Sequence, residues 1–293
     1  MNVKLVIAAL SLMFMLLLLE NIPQAKANLD CGNQTCGNIS IPYPFGLAPG
    51  CYKDDSFKIE CHKTSNPPRA VIPSIKAEVL KFSDYNESVT VKGPIKYSGS
   101  CPAWKRRSSR SNSSTLVNLT GSPFIPAPFS NSFTAVGCNT LGTITEDATL
   151  PIGCRSTCGK ERGAMEWDSA GFCQAQNCCT TSVKPGLQVI IPSVQSLNKG
   201  RDDDEDECKL AFLADEQWLV NTLEDVRKVQ GMEYVPLKLA WVSNFSLDQY
   251  QETMDCGYSR GINDVVTATE CKCRPNYEGS PYNPQGCTGI HIT

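Results

Sequence analysis

Sixteen cysteines, every one of them downstream of an N-terminal apolar run, set the tightest limit on what this 293-residue chain can fold into. They are Cys31, Cys36, Cys51, Cys61, Cys101, Cys138, Cys154, Cys158, Cys173, Cys178, Cys179, Cys208, Cys256, Cys271, Cys273 and Cys287. An even number of thiols in an oxidising compartment is expected to close as disulfides. Zinc is the competing reading for the close pairs Cys31/Cys36, Cys154/Cys158 and Cys271/Cys273. Against it, His62 and His291 are the only two histidines, which also leaves little room for imidazole-based proton transfer. Spacing does not give the connectivity. Cys178 and Cys179 are expected to bond different partners, because a bridge between adjacent cysteines strains the intervening peptide.

The N-terminus points to the oxidising compartment. Met1-Asn2-Val3-Lys4 is a short basic start, Leu5 to Leu19 is a 15-residue apolar run, and Ala25-Lys26-Ala27 fits a small-x-small cleavage site. A membrane anchor is the alternative, but the run is shorter than the roughly 20 residues that span a bilayer. Residues 1–27 are therefore read as a signal peptide, and the mature chain as secreted, with no transmembrane segment of its own. Six Asn-x-Ser/Thr sequons, at Asn33, Asn38, Asn86, Asn112, Asn118 and Asn244, are candidate glycan acceptors on exposed chain.

Hydrophobic residues at 41% and charged residues at 19% describe a globular chain. Charge is unevenly distributed. Residues 28–150 carry 12 Lys+Arg against 9 Asp+Glu, residues 151–254 carry 10 against 16, and residues 255–293 carry 3 against 4. The first segment is the one suited to an anionic partner. Its densest basic stretch holds Trp104, Lys105, Arg106, Arg107 and Arg110, and runs into a Ser/Asn-rich tract that reads as loop. The acidic run Asp202 to Glu207 lacks the glycine and spaced ligands of a calcium loop and reads as a solvated linker.

Short strands dominate the pattern, so the fold class expected is mainly β and disulfide-rich. Val235, Leu237, Leu239 and Trp241 alternate with period two; Glu87 to Lys92 contains a β-branched run; Leu187 to Ile191 is a short apolar run after Pro185-Gly186. Ser122 to Phe129 is expected to be extended, because its prolines bias their predecessors away from the helical region. One helix is expected, from about Glu216 to Gln230, with Leu219, Leu223 and Val226 at helical spacing, Asp215 as its cap and Gly231 at its end.

No catalytic constellation emerges. A serine nucleophile would want a histidine held by a carboxylate, yet His62 adjoins Cys61 and His291 lies two residues from the last. A carboxylate pair of the glycosidase kind stays open among so many acids. No phosphate-binding glycine loop, nucleic-acid motif or cofactor signature is present, and the chain reads as a non-enzyme.

Several blocks together resemble the extracellular region of plant wall-associated receptor kinases. They begin with Cys36-Gly37-Asn38-Ile39-Ser40-Ile41-Pro42-Tyr43-Pro44-Phe45-Gly46, then Gly50-Cys51 and Phe57-Lys58-Ile59-Glu60-Cys61. Asn131-Ser132-Phe133-Thr134-Ala135-Val136-Gly137-Cys138, Gly171-Phe172-Cys173, Cys178-Cys179 and Val235-Pro236-Leu237-Lys238-Leu239-Ala240-Trp241 continue the likeness. Cys271-Lys272-Cys273-Arg274-Pro275-Asn276-Tyr277-Glu278-Gly279, with Gly286-Cys287, looks like the latter half of an EGF-like module.

The resemblance implies a galacturonan-binding domain over residues 28–150, a cysteine-rich β domain over 151–254 and a partial EGF-like module over 255–293. It also implies the pairs Cys256 with Cys271 and Cys273 with Cys287, and an acidic pectic polysaccharide as partner in the cell wall. A wall-associated kinase would continue into a membrane helix and a kinase; here the text stops at Thr293, which fits either a truncated receptor product or a secreted form. Calcium binding is not carried over, since Thr288-Gly289 lacks the acidic opening of a calcium-binding module.

A galacturonan presents regularly spaced carboxylates on pyranose rings, so it wants cationic groups for the acid and aromatic faces for the ring. Trp104, Lys105, Arg106, Arg107 and Arg110 supply both, with a charged solvated loop as the bland alternative. Tyr43 and Tyr52 are further candidates, against a packing role next to Pro and Cys. The second functional reading is a protein-interaction ectodomain that docks a receptor or secreted peptide, with the sugar contact incidental.

Overall fold

The run Leu210-Ala211-Phe212-Leu213-Ala214 is apolar at every position, which suits a strand covered on both faces. In the computed structural model that strand is the hinge between two cores. The structure describes residues 31–83, 88–101, 116–144, 152–158, 173, 177–183, 187–197, 207–222, 226–241, 253–260, 266–279 and 287–289. Residues Asn33–Thr293 pack as one unit, mainly β as expected.

The largest sheet is six-stranded and antiparallel. Its order is β3 (Glu60–His62), β4 (Arg69–Ile72), β5 (Ala77–Phe82), β6 (Val89–Gly93), β17 (Val235–Trp241) and β9 (Phe124–Pro126). A four-stranded sheet runs β13 (Cys178–Ser182), β10 (Asn131–Val136), β16 (Lys209–Asp215) and β7 (Ile95–Ser98). A three-stranded sheet runs β12 (Ile152–Arg155), β11 (Thr140–Ile144) and β15 (Pro192–Ser196). Among the described residues there are also four ribbons: β1 (Thr35–Cys36) with β2 (Ile39–Ser40), β8 (Val117–Asn118) with β14 (Val189–Ile190), β18 (Met254–Arg260) with β19 (Val266–Cys273), and β20 (Tyr277–Gly279) with β21 (Cys287–Gly289). Both larger sheets take strands from either side of residue 150, because β17 joins β6 and β9 while β16 joins β7 and β10.

Successive strand side chains point to opposite faces, and β16 obeys this strictly. Leu210, Phe212 and Ala214 enter a smaller core with Ile95, Tyr97 and Leu219, whereas Ala211 and Leu213 enter the main core. The helix expected after Asp215 is present as α1 (Glu216–Thr222) and α2 (Val226–Gln230), with residues 223–225 outside the described set. Asp215 caps it by accepting from Trp218 N at 3.2 Å, which satisfies one of the otherwise orphaned first-turn donors. The expected alternation in Val235–Trp241 is realised, with Val235, Leu237, Leu239 and Trp241 buried. The extended reading of Ser122 to Phe129 holds through β9 and then fails. Phe129 turns into the left-handed region at φ 52°, reversing the chain into β10.

An aromatic cluster fills the main core. Phe45 lies 5.2 Å from Phe57, 4.9 Å from Phe82, 5.8 Å from Phe124 and 5.2 Å from Trp241, centroid to centroid. Gly46 follows Phe45 because a Cβ there would run into the Cys51 carbonyl. Met254 and Cys271 are buried in this same core, so the C-terminal ribbon is anchored to it.

Disulfides join Cys36 to Cys61, Cys101 to Cys208, Cys138 to Cys158, Cys154 to Cys179, Cys173 to Cys178 and Cys273 to Cys287. Cys31, Cys51 and Cys271 are disulfide-bonded as well, and no described cysteine is free. The adjacent Cys178 and Cys179 thus bond different partners. Cys36, Cys154, Cys158 and Cys273, members of the close pairs weighed for zinc, are each oxidised to a cysteine elsewhere in the sequence.

Candidate carbohydrate-binding face

The outward surface of the six-stranded sheet is where strand alternation gathers positive charge. Phe82, Val91 and Leu237 pack against the core, so their neighbours Lys81, Thr90, Lys92 and Lys238 point away from it; a register shift between Val79 and Lys81 sets Phe82 inward and Lys81 outward. The register sets Lys81 opposite Thr90 and Thr90 opposite Lys238, placing two lysines in one cross-strand row over β5, β6 and β17. In the next row Lys92 lies opposite Pro236.

Glu78 is the one carboxylate among these residues. It accepts an ion pair from Lys92 at 2.7 Å and another from Arg69 at 3.6 Å, with its own side chain 20% exposed. Lys92 also stands 4.4 Å from the centre of the Tyr234 ring, a cation held over a π face. Of the four cationic side chains here, Arg69, Lys81, Lys92 and Lys238, the first and third share the Glu78 carboxylate. Among the described residues Lys81 and Lys238 have no ion-pair partner. Arg69 and Lys81 are exposed, Lys92 and Lys238 are half-buried, and Thr90 between the lysines is buried; cations so arranged can contact several carboxylates of an extended polyanion at once.

The basic segment singled out in the sequence, Trp104, Lys105, Arg106, Arg107 and Arg110, lies outside the described residues. What precedes it is fixed: Cys101 is buried and bonded to Cys208. Residues 1–27 and the sequons Asn86, Asn112 and Asn244 also lie outside the described set, whereas Asn33, Asn38 and Asn118 are exposed.

Tyr43 and Tyr52 are half-buried and pack against the main core. Burial raises the Tyr43 hydroxyl above its ordinary pKa, and the nearby negative charge of Asp54 raises it further. Close by, Lys53 lies 5.8 Å from the Phe57 ring centre and Lys58 pairs with Glu60 at 3.0 Å. This corner carries charge of both signs and differs in that respect from the lysine row.

Sequence reasoning did not single out Lys81, Lys92 or Lys238, because they are scattered over more than 150 positions and belong to no run of basic residues. The signal that could have found them is the alternation itself. Once Val235, Leu237 and Leu239 are assigned inward, Lys238 must face out, and Val89-Thr90-Val91-Lys92 gives the same result for Lys92. No metal-ligand cluster of three or more His, Cys, Asp or Glu occurs among the described residues. Nor is any described helix long and apolar enough to cross a membrane.

Comparison with known proteins gives two family matches. Residues 31–93 match the wall-associated receptor kinase galacturonan-binding family, and residues 170–249 match the wall-associated kinase family. Among curated relatives from Arabidopsis thaliana, wall-associated receptor kinase-like 17 is 25% identical over 99% of this chain and 42% of its own length. Wall-associated receptor kinase-like 1 is 28% identical over 90% of this chain and 38% of its own length. Wall-associated receptor kinase 2 is 28% identical over 87% and 34%. The chain thus spans less than half the length of these relatives. No solved structure matches. Over residues 31–93 and 170–249 the chain is thus similar to these two families, and over most of its length it is similar to part of the wall-associated receptor kinase-like proteins.

Proposed function

We propose that this chain, similar to part of the wall-associated receptor kinase-like proteins, is a non-catalytic, extracellular binding module for de-esterified galacturonan. One observation carries the reading. The stretch that matches the galacturonan-binding family, residues 31–93, supplies strands β3 to β6, and their outward face holds Arg69, Lys81 and Lys92. Lys238 completes the face from the second family region, so the proposed site draws on both. The basic residues Lys105, Arg106, Arg107 and Arg110, with Trp104, extend the cationic supply in this reading.

Exposed ion pairs are individually weak, on the order of 0–1 kcal/mol each, so affinity comes from several acting along one chain. Such contacts fade with salt, because the screening length falls from about 8 Å at physiological ionic strength to about 3 Å at 1 M. Binding of the secreted protein to oligogalacturonides is expected to weaken steeply across that range, and neutral glucan is expected not to bind. The combined variant Lys81→Ala, Lys92→Ala, Lys238→Ala is expected to lower affinity at least tenfold at low salt, by the order of about 1.4 kcal/mol or more. Equal binding to neutral glucan, or full retention at 1 M salt, would overturn the proposal.

A further inference from the structure

An aromatic residue stands almost wholly in solvent in the turn after β9, the edge strand next to β17. Phe129 is 92% exposed, the most exposed large apolar side chain among the described residues. Its backbone is left-handed, at φ 52°, a conformation that glycine or asparagine adopts with less strain than a bulky side chain. Neither exposure nor backbone preference therefore accounts for phenylalanine at this position. Strain of this kind persists only where the surroundings over-determine it, and it gathers at ligand-contact sites.

The surroundings do over-determine this turn. Ser130 N donates to Ala127 O at 3.3 Å, closing it, and Glu216 N donates to Ser130 O at 3.0 Å. The buried Asn131 side chain donates to Ala127 O at 3.2 Å and to Lys238 O at 2.8 Å, and accepts from Lys238 N at 3.0 Å. Ala127 N adds a third tie to Lys238 by donating to its main-chain oxygen at 2.9 Å. Both ends of the turn are thus bonded to regular structure, and one of those anchors is the main chain of a lysine in the cationic row. The ring sits at the β9 edge of the sheet on a rigid support, which is what a contact residue needs if it is to bind without ordering cost.

We infer that Phe129 is the ring-stacking position of the acidic-sugar site: its π face packs against the C–H face of one uronic-acid pyranose while Lys238 takes a carboxylate. This deepens the galacturonan reading and rests on it. The π face is electron-rich and attracts the weakly positive C–H surface of a sugar. Phenylalanine has no polar tip, so its contribution is independent of salt, unlike that of the lysines.

The test compares full-length secreted wild type with Phe129→Asn, Phe129→Trp and Lys238→Ala, using oligogalacturonide titrated at several salt concentrations together with urea unfolding of each protein. Asparagine keeps the left-handed backbone and removes the ring. Phe129→Asn is expected to lose about threefold to tenfold in affinity, with an unchanged salt dependence and no fall in the urea midpoint. Phe129→Trp is expected to retain or exceed wild-type affinity, and Lys238→Ala to flatten the salt dependence. Wild-type affinity in Phe129→Asn would overturn the inference and leave the galacturonan reading standing. So would a loss in Phe129→Asn accompanied by a flattened salt dependence, since the turn would then act through the lysines. If the wild type ignores oligogalacturonide at low salt, both fall together.

Discussion

Asn131 and the main chain of Lys238 are bonded in both directions: the side-chain amide donates to Lys238 O at 2.8 Å and accepts from Lys238 N at 3.0 Å. An asparagine side chain thereby imitates one rung of a β ladder, across a sequence separation of 107 residues. The rung ties the β9–β10 turn to the strand that carries the outermost lysine. Asn131→Ala would leave the Lys238 N–H without this partner, and an orphaned buried group costs about 1–3 kcal/mol. The variant is expected to unfold at lower urea with a loss of about 2 kcal/mol. A midpoint equal to wild type would show that water or a neighbour replaces the amide.

Phe45 belongs to the most distinctive motif in the chain, Ile41-Pro42-Tyr43-Pro44-Phe45-Gly46, yet it is fully buried at the centre of the aromatic cluster. Its role is packing. Phe45→Ala is expected to cost about 3–5 kcal/mol, the usual range for emptying a buried phenylalanine site. Chemical denaturation would measure it; a loss under about 1 kcal/mol would mean that the cluster collapses around the void.

The Cys101–Cys208 bridge spans 107 residues and ties the end of β7 to the start of β16. A loop of that length removes the most freedom from the unfolded chain, about 4–5 kcal/mol in the entropic model. The double variant Cys101→Ser, Cys208→Ser is expected to lose about 3–5 kcal/mol, and the Cys273→Ser, Cys287→Ser variant, which opens 14 residues, to lose less. Reversal of that order in urea unfolding would argue that strain or local packing outweighs loop length.

Tyr43 predicts the direction of an alkaline effect. Burial and the Asp54 charge raise its folded pKa above the ordinary 10.0, so between the unfolded and folded values the native state holds more protons than the unfolded state. Stability from this group is full below the ordinary value and is lost as pH rises from there through the raised one. Tyr43→Phe is expected to remove that part of the decline. Urea midpoints of the two proteins followed from about pH 8 to 11 should converge or cross as the wild type loses ground; parallel curves would show that Tyr43 titrates alike in both states.

Much of the local structure was legible in the sequence because its signals are short-range. The alternation in Val235–Trp241 reads directly as β17, and Asp215 reads as a helix cap since capping needs only the next three residues. The strand β16 carries no such local signal. A run apolar on both faces has no period, and its assignment needs the knowledge that β10, β7 and the helix cover it. Phe129 was read as extended from its prolines, and the reversal there depends on Asn131 reaching Lys238, a partner 107 positions away.

Residue order alone settled the compositional character of this protein: cysteines expected to oxidise, fifteen of which are disulfide-bonded in the structure, short alternating segments, and a family match from Cys31 onward. Those follow from chemistry within a few bonds or a few residues. Which cysteines bond beyond the expected Cys273–Cys287 pair, that β17 inserts between β6 and β9, and that Lys81, Lys92 and Lys238 share one face were decided only by tertiary structure. Each is a pairing between distant segments, and the chain text carries no measure of distance until the register of the strands is fixed.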